Sequence, residues 1–423
     1  MQAEYVIEGD GPAAPFTRDQ SRELASQLPA GTDVAVHARD RVAFVLTLLA
    51  AEHTQCRVLA APSYWTDEQF SQLLGRRAAA RVVHQDGSAS VEVEACGTAP
   101  DGSPPGIVIF TSGSTGRAKG VDHSWSSAAA SGEFMSGRLR HKTWYLAYEP
   151  ASYAGLQVFF AASQAAGRLV IPPCGIGFPE HARLIAKHRI EVLSATPSWW
   201  RLLMAAWPAG SAPPRLAQAT LGGEIVDQGT LDRVRTFFQP QHLTHVYATT
   251  EAGTAIAVSD GQAGFPARFL DDGQRRVGLR LCEGVLYVRS PFRMRGYIQA
   301  PREAREGEWI RTGDLVEVHD GRCFFVGRED LQLNIGGLKV RPEEVEAALR
   351  RVPEVGDCLV YARSSPIIGV LLAADIVCAA DTHIDAVSLQ ERLKETLLPH
   401  KIPRHFRFVT ELTVAPSGKA QRH

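Results

Sequence analysis

The sequence contains no apolar run near the length of about 18 residues that a membrane span requires. Its first residues, MQAEYVIEGDG, lack the basic and apolar regions of a signal peptide. Neither sign of charge is in excess, because 45 basic residues nearly cancel 46 acidic ones and leave a net charge of -1. We therefore expect a cytoplasmic protein with neither nucleic acid nor membrane as a partner.

Cysteine is sparse, and its spacing argues against a metal site. The residues lie far apart, with no C-x-x-C pair and no nearby histidine at zinc-ligand spacing. Buried, reduced thiols are the expectation. The cysteines are Cys56, Cys96, Cys174, Cys282, Cys323, Cys358 and Cys378.

The chain is long enough for about two or three domains, with 423 residues and 45% hydrophobic content. Before Gly264, short apolar runs alternate with helical patterns, which predicts an α/β fold with mostly parallel sheets. Short strands and turns then predict an antiparallel subdomain or barrel over about 265–328. From Asp330 the pattern predicts a small α+β unit, which divides the chain into domains 1–328 and 329–423. The predicted strands of the first part are 32–38, 56–62, 80–85, 106–112, 168–173 and 191–197, and the predicted helices are 40–53, 66–79, 179–189 and 227–238.

A glycine-rich loop, TSGSTGRAKG from Thr111 to Gly120, follows the predicted strand GIVIF and precedes the helix-compatible segment HSWSSAAASGEFM. Glycine lets backbone N–H groups approach an anion, and hydroxyls and a lysine donate to phosphate oxygens. The spacing of Gly113, Gly116 and Lys119 differs from that of a P-loop, in which Ser or Thr follows the lysine. The loop is either a phosphate cradle or a flexible turn, and the lysine and the preceding strand favour the cradle.

Two carboxylates are candidates for a nucleotide site. Glu251, in YATTEAG after the short strand LTHV, could hold Mg²⁺ beside a bound triphosphate. Asp314, in WIRTGDLVEV, is predicted at a turn before a strand and could accept hydrogen bonds from both ribose hydroxyls. Taken alone, each could equally be a solvated or structural loop residue, and the same holds for Lys419 in APSGKAQR.

The order of the motifs along the chain resembles that of the adenylate-forming superfamily of acyl- and aryl-CoA synthetases, adenylation domains of peptide synthetases, and luciferases. The motifs are TSGSTGRAKG, GGEIV, YATTEAG, WIRTGDL, GREDLQLNIGGLKVRPEEVE and APSGK. The resemblance covers essentially the whole chain, although the N-terminal portion is shorter than in most members. It implies a large N-terminal domain of two α/β sheets plus a small β-barrel, followed by a small, mobile α+β domain.

The resemblance also implies a reaction in two steps. A carboxylate attacks the α-phosphorus of Mg·ATP to give an acyl-adenylate and pyrophosphate, and a thiol then displaces AMP. ATP, Mg²⁺ and CoA are the implied cofactors and a small carboxylic acid is the implied substrate. Homodimers are common in the family.

Position in the motifs implies a role for each residue. Thr250 would contact the α-phosphate, Glu251 would bind Mg²⁺, and Lys419 would bridge the attacking carboxylate and the α-phosphate. Asp314 and Arg328 would hold the ribose. The implied phosphate and adenine contacts are Thr111, Ser112, Gly113, Ser114, Thr115, Gly116, Lys119, Gly222, Gly223, Glu224, Tyr247, Ala248 and Thr249.

The segment after the predicted barrel would allow the C-terminal domain to move. Asp330 occupies the family's hinge position, about which the C-terminal domain would rotate between the two half-reactions. This rotation would withdraw Lys419 and bring the loop around Gly336 and Gly337 to the thiol channel.

Several positions depart from the family pattern near the expected substrate. Ala118 replaces a proline of the phosphate loop. In YEPASYAGLQV, which looks most like the segment of o-succinylbenzoate-CoA and other aryl-CoA ligases, Ala151 and Ser152 replace an aromatic–histidine pair. Glu149 could take a cationic or amine-bearing substrate or be a surface carboxylate, and Tyr153 completes the expected pocket.

Other departures concern the acceptor. Asn334 replaces the usual lysine before the glycine pair, and SSPIIGV replaces a D-x-x-x-G-E turn. Our first hypothesis is an ATP-dependent acid–thiol ligase acting on a small aromatic or otherwise compact acid, with CoA as acceptor. The alternatives are a stand-alone adenylation enzyme, which passes its adenylate to a carrier protein or an amine or activates an unusual small acid, and a non-catalytic binding protein. The intact motif residues argue against the last.

Overall fold

The structure is a computed structural model of the chain. It describes residues 4–7, 18–50, 56–77, 80–84, 91–95, 104–111, 118–130, 137–270, 273, 275–298, 309–335, 338–365, 369–379 and 382–412.

Strands and helices alternate through the first part of the chain, as predicted. The elements up to residue 128 are β1 (Glu4–Ile7), α1 (Arg18–Gln27), β2 (Asp33–His37), α2 (Arg41–Ala50), β3 (Arg57–Ala61), α3 (Asp67–Arg77), β4 (Ala80–His84), β5 (Val91–Ala95), β6 (Gly106–Thr111), β7 (Lys119–His123) and α4 (Trp125–Ala128). The following elements are β8 (Thr143–Leu146), α5 (Tyr153–Gln164), β9 (Arg168–Ile171), α6 (Phe178–Lys187), β10 (Val192–Ala195), α7 (Pro197–Ala205), β11 (Gln218–Gly222), α8 (Gln228–Phe238), β12 (His242–Thr249) and β13 (Gly253–Val258). Each strand and helix predicted for this part is present, with ends shifted by a few residues.

Strand-rich and mixed segments follow. The strand-rich segment contains β14 (Phe265–Pro266), β15 (Gly278–Cys282), β16 (Val285–Arg289), β17 (Gly296–Tyr297), β18 (Ile310–His319) and β19 (Arg322–Arg328). The mixed segment contains β20 (Leu333–Ile335), β21 (Leu338–Val340), α9 (Pro342–Leu349), β22 (Val355–Ser365), β23 (Gly369–Cys378), α10 (Ala386–Lys394) and β24 (His405–Phe408).

Two seven-stranded sheets carry most of the first part, in the orders β1-β9-β8-β10-β11-β12-β13 and β17-β7-β6-β3-β2-β4-β5. Their central strands pair in parallel, and antiparallel pairs close the edges at β12–β13, β6–β7, β17–β7 and β4–β5. β2 and β3 are buried along their whole length, as expected for parallel strands covered on both faces. The prediction of two α/β sheets is confirmed.

The later segments form smaller sheets. A five-stranded antiparallel sheet has the order β14-β19-β18-β16-β15, and β22, β23 and β24 form a three-stranded sheet. Buried residues between Val340 and Ile402 form a hydrophobic cluster of their own. The C-terminal α+β pattern predicted from the sequence is therefore present.

One helix start differs from the prediction. His123 is the last residue of β7, and α4 begins at Trp125. Ser124 precedes the helix in an extended conformation, and its Oγ accepts a hydrogen bond from the Ser127 N–H (3.1 Å). A serine cap satisfies an otherwise unpaired N–H group at a helix start, which explains why the strand continues to His123.

The cysteine prediction is wrong in part. No disulfide joins the described cysteines, but Cys174 and Cys282 are exposed rather than buried. Within the described ranges, no helix is long and apolar enough to cross a membrane. The same residues contain no group of three or more His, Cys, Asp and Glu side chains able to hold a metal ion.

An aromatic cluster holds α6 and α7 beside β8. The Tyr145 hydroxyl and His181 Nδ1 are hydrogen-bonded (2.6 Å), and the His181 and Trp199 ring centroids lie 5.3 Å apart. Burial lowers the pKa of His181 from 6.5 to about 4. The folded protein therefore keeps this imidazole neutral at neutral pH.

We expect the free energy of unfolding to fall as the pH drops from 6.5 to about 4, because the unfolded chain binds a proton that folded His181 does not. His181→Gln offers Tyr145 an amide oxygen that does not titrate, so it should flatten the pH dependence of Tm over this window. Thermal unfolding at several pH values measures the slope, with the exposed His405→Gln as the control. Equal slopes for His181→Gln and the native protein would contradict the assignment.

Candidate active site

The β6–β7 hairpin carries the glycine-rich motif. Thr111 and Lys119 pair across the ends of the two strands, so the intervening loop is closed at its base. The Lys119 ammonium lies 5.5 Å from the centroid of the Tyr297 ring, at the distance of a cation–π contact. The motif residues that lie outside the described part of the chain are Ser112, Gly113, Ser114, Thr115, Gly116 and Arg117.

A buried ion cluster fixes β7 between its neighbours. Arg57 on β3 pairs with Asp33 (2.7 Å) and with Asp122 on β7 (3.5 Å). Arg295 pairs with the other oxygen of Asp122 (2.7 Å) and donates to the His123 carbonyl (3.0 Å). Asp33 is fully buried, and Arg57 and Asp122 are less than a tenth exposed. The charges therefore compensate one another away from water.

The β12–β13 hairpin carries Thr250 and Glu251 in its turn. His123 donates from Nε2 to the Thr250 carbonyl (2.7 Å), and the Met294 N–H donates to the Glu251 carbonyl (2.8 Å). The Tyr297 hydroxyl donates to Glu251 Oε1 (3.1 Å). The structure thus brings the turn of this hairpin against β7 and β17.

The same turn depends on a glycine. β12 ends with Ala248 and Thr249, and Thr249 Oγ1 accepts a backbone N–H of the turn (3.0 Å). Gly253 has a φ of 79°, in the left-handed region. A Cβ atom there would lie 3.0 Å from both Tyr153 Oη and Phe292 Cβ. Both backbone conformation and space therefore require glycine at this position.

Asp314 meets the residues predicted to act with it on a nucleotide. Its Oδ2 accepts from the Tyr247 hydroxyl (2.5 Å), and its Oδ1 accepts from Arg328 Nη1 (3.2 Å). Arg328 also donates from Nε to Asp330 Oδ1 (2.9 Å), and Tyr247 stacks on Phe325 with ring centroids 4.4 Å apart. Burial, and then the nearby Asp314 charge, raises the pKa of Tyr247, so its hydroxyl remains a donor.

The prediction that Asp314 sits at a turn before a strand is wrong. Asp314 lies inside β18, directly opposite Arg328 on β19, and the pairing shifts register just after Leu315. Gly313 has a φ of 75°, which makes the strand irregular at this point. The glycine is also a residue typical of turns, which explains the prediction. The strand pairing, rather than a loop, sets the distance between the carboxylate and the guanidinium.

The GGEIV motif follows β11. Gly222 ends the strand, and its carbonyl accepts from the Tyr148 hydroxyl (3.2 Å). Gly223 has a φ of 85°. Glu224 Oε2 accepts from the Ser198 N–H (2.9 Å) in the first turn of α7, which satisfies a donor that the helix cannot pair internally. The motif therefore joins α7 to the end of β11.

The expected substrate residues are largely engaged within the protein. Glu149 is buried, so its interpretation as a surface carboxylate is wrong. Its Oε1 accepts from the Ser63 N–H (2.8 Å), its Oε2 accepts from the Ser63 hydroxyl, and burial raises its pKa. Ser152 caps α5 by accepting from the Gly155 N–H (3.0 Å), and Ala151 is fully buried.

The segment after β19 contacts the first part of the chain through charged groups. Arg201 Nε lies 3.0 Å from Asp357 Oδ2, and Arg350 Nε lies 3.3 Å from Asp357 Oδ1. Arg201 and Asp357 are 7% and 5% exposed. Arg341 pairs with Glu317 at 2.7 Å. Three further predicted residues lie outside the described part of the chain, namely Gly336, Gly337 and Lys419.

Sequence reasoning missed His123 and Tyr297, which connect the two hairpins. Their partners lie 127 and 46 residues away in the chain, so neither residue stands in a local motif with the group it contacts. A histidine at the end of an apolar strand was a weak signal of a buried polar contact.

The chain matches the AMP-binding enzyme family over residues 96–298 and the C-terminal domain of AMP-binding enzymes over residues 344–419. The chain belongs to this family, the adenylate-forming superfamily, as the order of its motifs predicts. Activation of a carboxylic acid as its adenylate is the activity typical of this family.

Curated relatives include peptide synthetases. The chain is 29% identical over 346 residues to the probable non-canonical nonribosomal peptide synthetase CymA of Salinispora arenicola, covering 75% of this chain and 4% of that protein. It is 27% identical over 350 residues to the phenyloxazoline synthase MbtB of Mycobacterium tuberculosis, covering 74% of this chain and 24% of the relative. The chain therefore spans a quarter or less of the length of these relatives.

Solved structures share the fold at low identity. The amide bond synthetase McbA from Marinactinospora thermotolerans has a TM-score of 0.73 and 21% identity, with 99% of this chain and 96% of that chain covered. The o-succinylbenzoate coenzyme A synthetase of Bacillus subtilis, in complex with ATP and magnesium, has a TM-score of 0.72 and 18% identity, with 100% and 96% covered. Both matches extend over the full architecture described above.

We expect Gly253→Ala to destabilise the protein more than Gly31→Ala. Gly31 also has a positive φ, of 72°, but no atom lies within 4 Å of a Cβ there, so its substitution isolates the backbone cost of about 1 kcal/mol. At position 253 the contacts with Tyr153 and Phe292 add to that cost and displace the Glu251 turn. Denaturant unfolding measures the difference, and ATP binding should weaken for Gly253→Ala alone. Equal losses of stability with equal ATP affinity would contradict this prediction.

Proposed function

We propose that this enzyme activates a small aromatic or otherwise compact carboxylic acid as its acyl-adenylate, and then transfers the acyl group to the thiol of CoA in the cytoplasm. The observation that carries the proposal is the meeting of two groups along β12. Tyr247 joins Asp314 and Arg328 on one side, and the Thr250–Glu251 turn joins β7 on the other. A nucleotide lying along the end of this strand would reach both groups.

The Asp314 group is suited to a ribose. Tyr247 and Arg328 hold the carboxylate from two sides, and an ionised carboxylate accepts hydrogen bonds of the kind that two vicinal hydroxyls donate. The stacked pair of Tyr247 and Phe325 provides an aromatic surface beside it. Gly222 to Glu224 would line the adenine next to this surface.

Glu251 is suited to bind Mg²⁺. Tyr297 occupies one lone pair of Oε1, and Oε2 has no hydrogen-bond partner among the described residues. A single carboxylate completed by substrate phosphates is a common Mg²⁺ site in ATP enzymes. When bound, the ion would neutralise charge on the triphosphate.

In the first step, a carboxylate oxygen of the acid attacks the α-phosphorus, and the bond to the pyrophosphate oxygen breaks. Lys119 and the loop that precedes it would hold the β- and γ-phosphates, and Thr250 the α-phosphate. Lys419 would stabilise the charge that gathers between the acid and the α-phosphate. Acceleration then comes from positioning and from fixed charges.

In the second step, the thiol sulfur attacks the acyl carbonyl carbon and AMP leaves. We propose that rotation about Asp330 brings the loop of Gly336 and Gly337 to the thiol. The Arg328–Asp330 contact links this hinge position directly to the residue proposed for the ribose.

The surroundings of Glu149 favour an acid without a cationic group. A carboxylate that would pair with a substrate ammonium is instead hydrogen-bonded to Ser63, and burial favours its neutral form. Ser152 is occupied as a helix cap. The proposed pocket would therefore recognise the acid mainly through its shape and apolar surface.

A second proposal keeps the adenylation and changes the acceptor to a carrier protein or an amine. One curated relative described above is a probable nonribosomal peptide synthetase, another is a phenyloxazoline synthase, and one structural neighbour is an amide bond synthetase. Asn334 in place of the family's lysine is shared with some aryl-acid adenylating enzymes, which supports the same alternative.

Pyrophosphate release with a panel of acids tests the adenylation. We expect compact aromatic acids to give the highest rates and amino acids to give low rates. Addition of CoA, a carrier protein or amines to the active acid then identifies the acceptor. Adenylation without any CoA thioester would overturn the first proposal and favour the second.

We predict that Lys419→Ala abolishes adenylate formation but leaves thioester formation from a supplied acyl-adenylate largely intact. The lysine would be needed only while charge gathers at the α-phosphate, before AMP is a leaving group. Rapid-quench measurements of the separate half-reactions provide the comparison. An equal loss in both half-reactions would refute the role assigned to Lys419.

A further inference from the structure

We infer that Tyr297 is a positioning residue, whose hydroxyl orients the Glu251 carboxylate and whose ring holds the Lys119 ammonium beside the proposed triphosphate site. This inference rests on the proposed roles of Glu251 in metal binding and Lys119 in phosphate binding. It adds a residue that belongs to none of the motifs on which those roles are based.

The hydroxyl contact acts on one carboxylate oxygen. Tyr297 donates to Glu251 Oε1 at 3.1 Å, and the backbone of the same turn is held by Met294 and His123. With the backbone fixed, the hydrogen bond selects the rotation of the carboxylate. Partners that orient metal ligands in this way tune metal affinity without contacting the ion.

The ring contact acts on the lysine. Lys119 Nζ lies 5.5 Å from the ring centroid, so the positive charge is attracted to the ring face without losing its hydrogen-bond donors. A flexible lysine that is already restrained loses less conformational entropy when it binds a phosphate. The ring therefore prepares the lysine for an anion.

Backbone pairing fixes the position of Tyr297 itself. It lies on β17 opposite Val121 of β7, and the next N–H, from Ile298, donates to the Gly120 carbonyl (2.9 Å). A Cβ on Gly120 would lie 2.6 Å from Ile298 Cγ1, so glycine permits this close approach. β7, which begins at Lys119, thus pairs with the strand that carries Tyr297.

Tyr297 also separates two opposite charges. Lys119 and Glu251 both contact this side chain, yet they form no ion pair with each other. A direct pair would occupy the carboxylate and the ammonium before Mg·ATP arrives. The tyrosine keeps both groups near each other and available for a ligand of mixed charge.

Tyr297→Phe and Tyr297→Leu separate the two contacts. Phenylalanine retains the ring and removes the hydroxyl, so we expect about a tenfold weaker binding of Mn²⁺ to the enzyme–ATP complex, with metal-free ATP binding unchanged. Leucine removes both contacts, so metal-free ATP should bind more weakly as well. Electron paramagnetic resonance of Mn²⁺ and calorimetry with ATP measure these affinities without turnover.

The matched control is Tyr361→Phe. Tyr361 donates to Asp375 Oδ1 at 3.0 Å, so this variant also loses a tyrosine–carboxylate hydrogen bond, but away from the proposed site. We expect its metal and ATP affinities to equal those of the native protein. Unchanged Mn²⁺ binding in Tyr297→Phe, or equal losses of metal, ATP and acid affinity in both Tyr297 variants, would overturn the inference.

The outcome separates this inference from the proposed function. Failure of the native protein to bind Mg·ATP, or to release pyrophosphate with any acid, would overturn both. Native pyrophosphate release together with native Mn²⁺ affinity in Tyr297→Phe would overturn the role of Tyr297 alone. The Tm of each variant shows whether the protein is folded, and a folded Tyr297→Phe with weakened Mn²⁺ binding supports the inference.

Discussion

The geometry of the site depends on the ion pairs made by the buried carboxylate of Asp122. This carboxylate is shared between Arg57, which reaches it from β3, and Arg295, which precedes β17. Buried ion pairs add little net stability because each charge must leave water, but they penalise any arrangement that separates them. β7 is therefore held in a single register, with Lys119 at one end and His123 at the other. The contact of His123 with the Thr250 carbonyl depends on that register.

The fold was predictable because its information is local. Central strands such as β2 and β3 are short apolar runs between turns. The segments between the strands have the apolar spacing of helices, so their sequence predicts helices of about the observed length. Motif order supplied the family. Neither the local pattern nor the motif order contains the pairing between distant segments. Gly313 is typical of a turn, and we therefore expected Asp314 in a turn. Pairing with β19 instead makes this segment part of a strand. The burial of Glu149 likewise depends on Ser63, whose position in space follows from β3.

Residues outside the motifs and residues within them together hold the candidate site in place. His123 and Tyr297 hold the Thr250–Glu251 turn, and Tyr247 and Arg328 hold Asp314 from two sides. Such preorganisation means that little reorientation of charge is needed when a nucleotide binds.

Arg201 and Asp357 form a charged contact between the C-terminal segment and the rest of the chain. Both groups are almost fully buried where they meet. If the two segments separated here, the groups exposed would be ions, which water hydrates strongly, rather than an apolar surface prone to association. Opening at this contact would therefore leave one hydrated charge on each side.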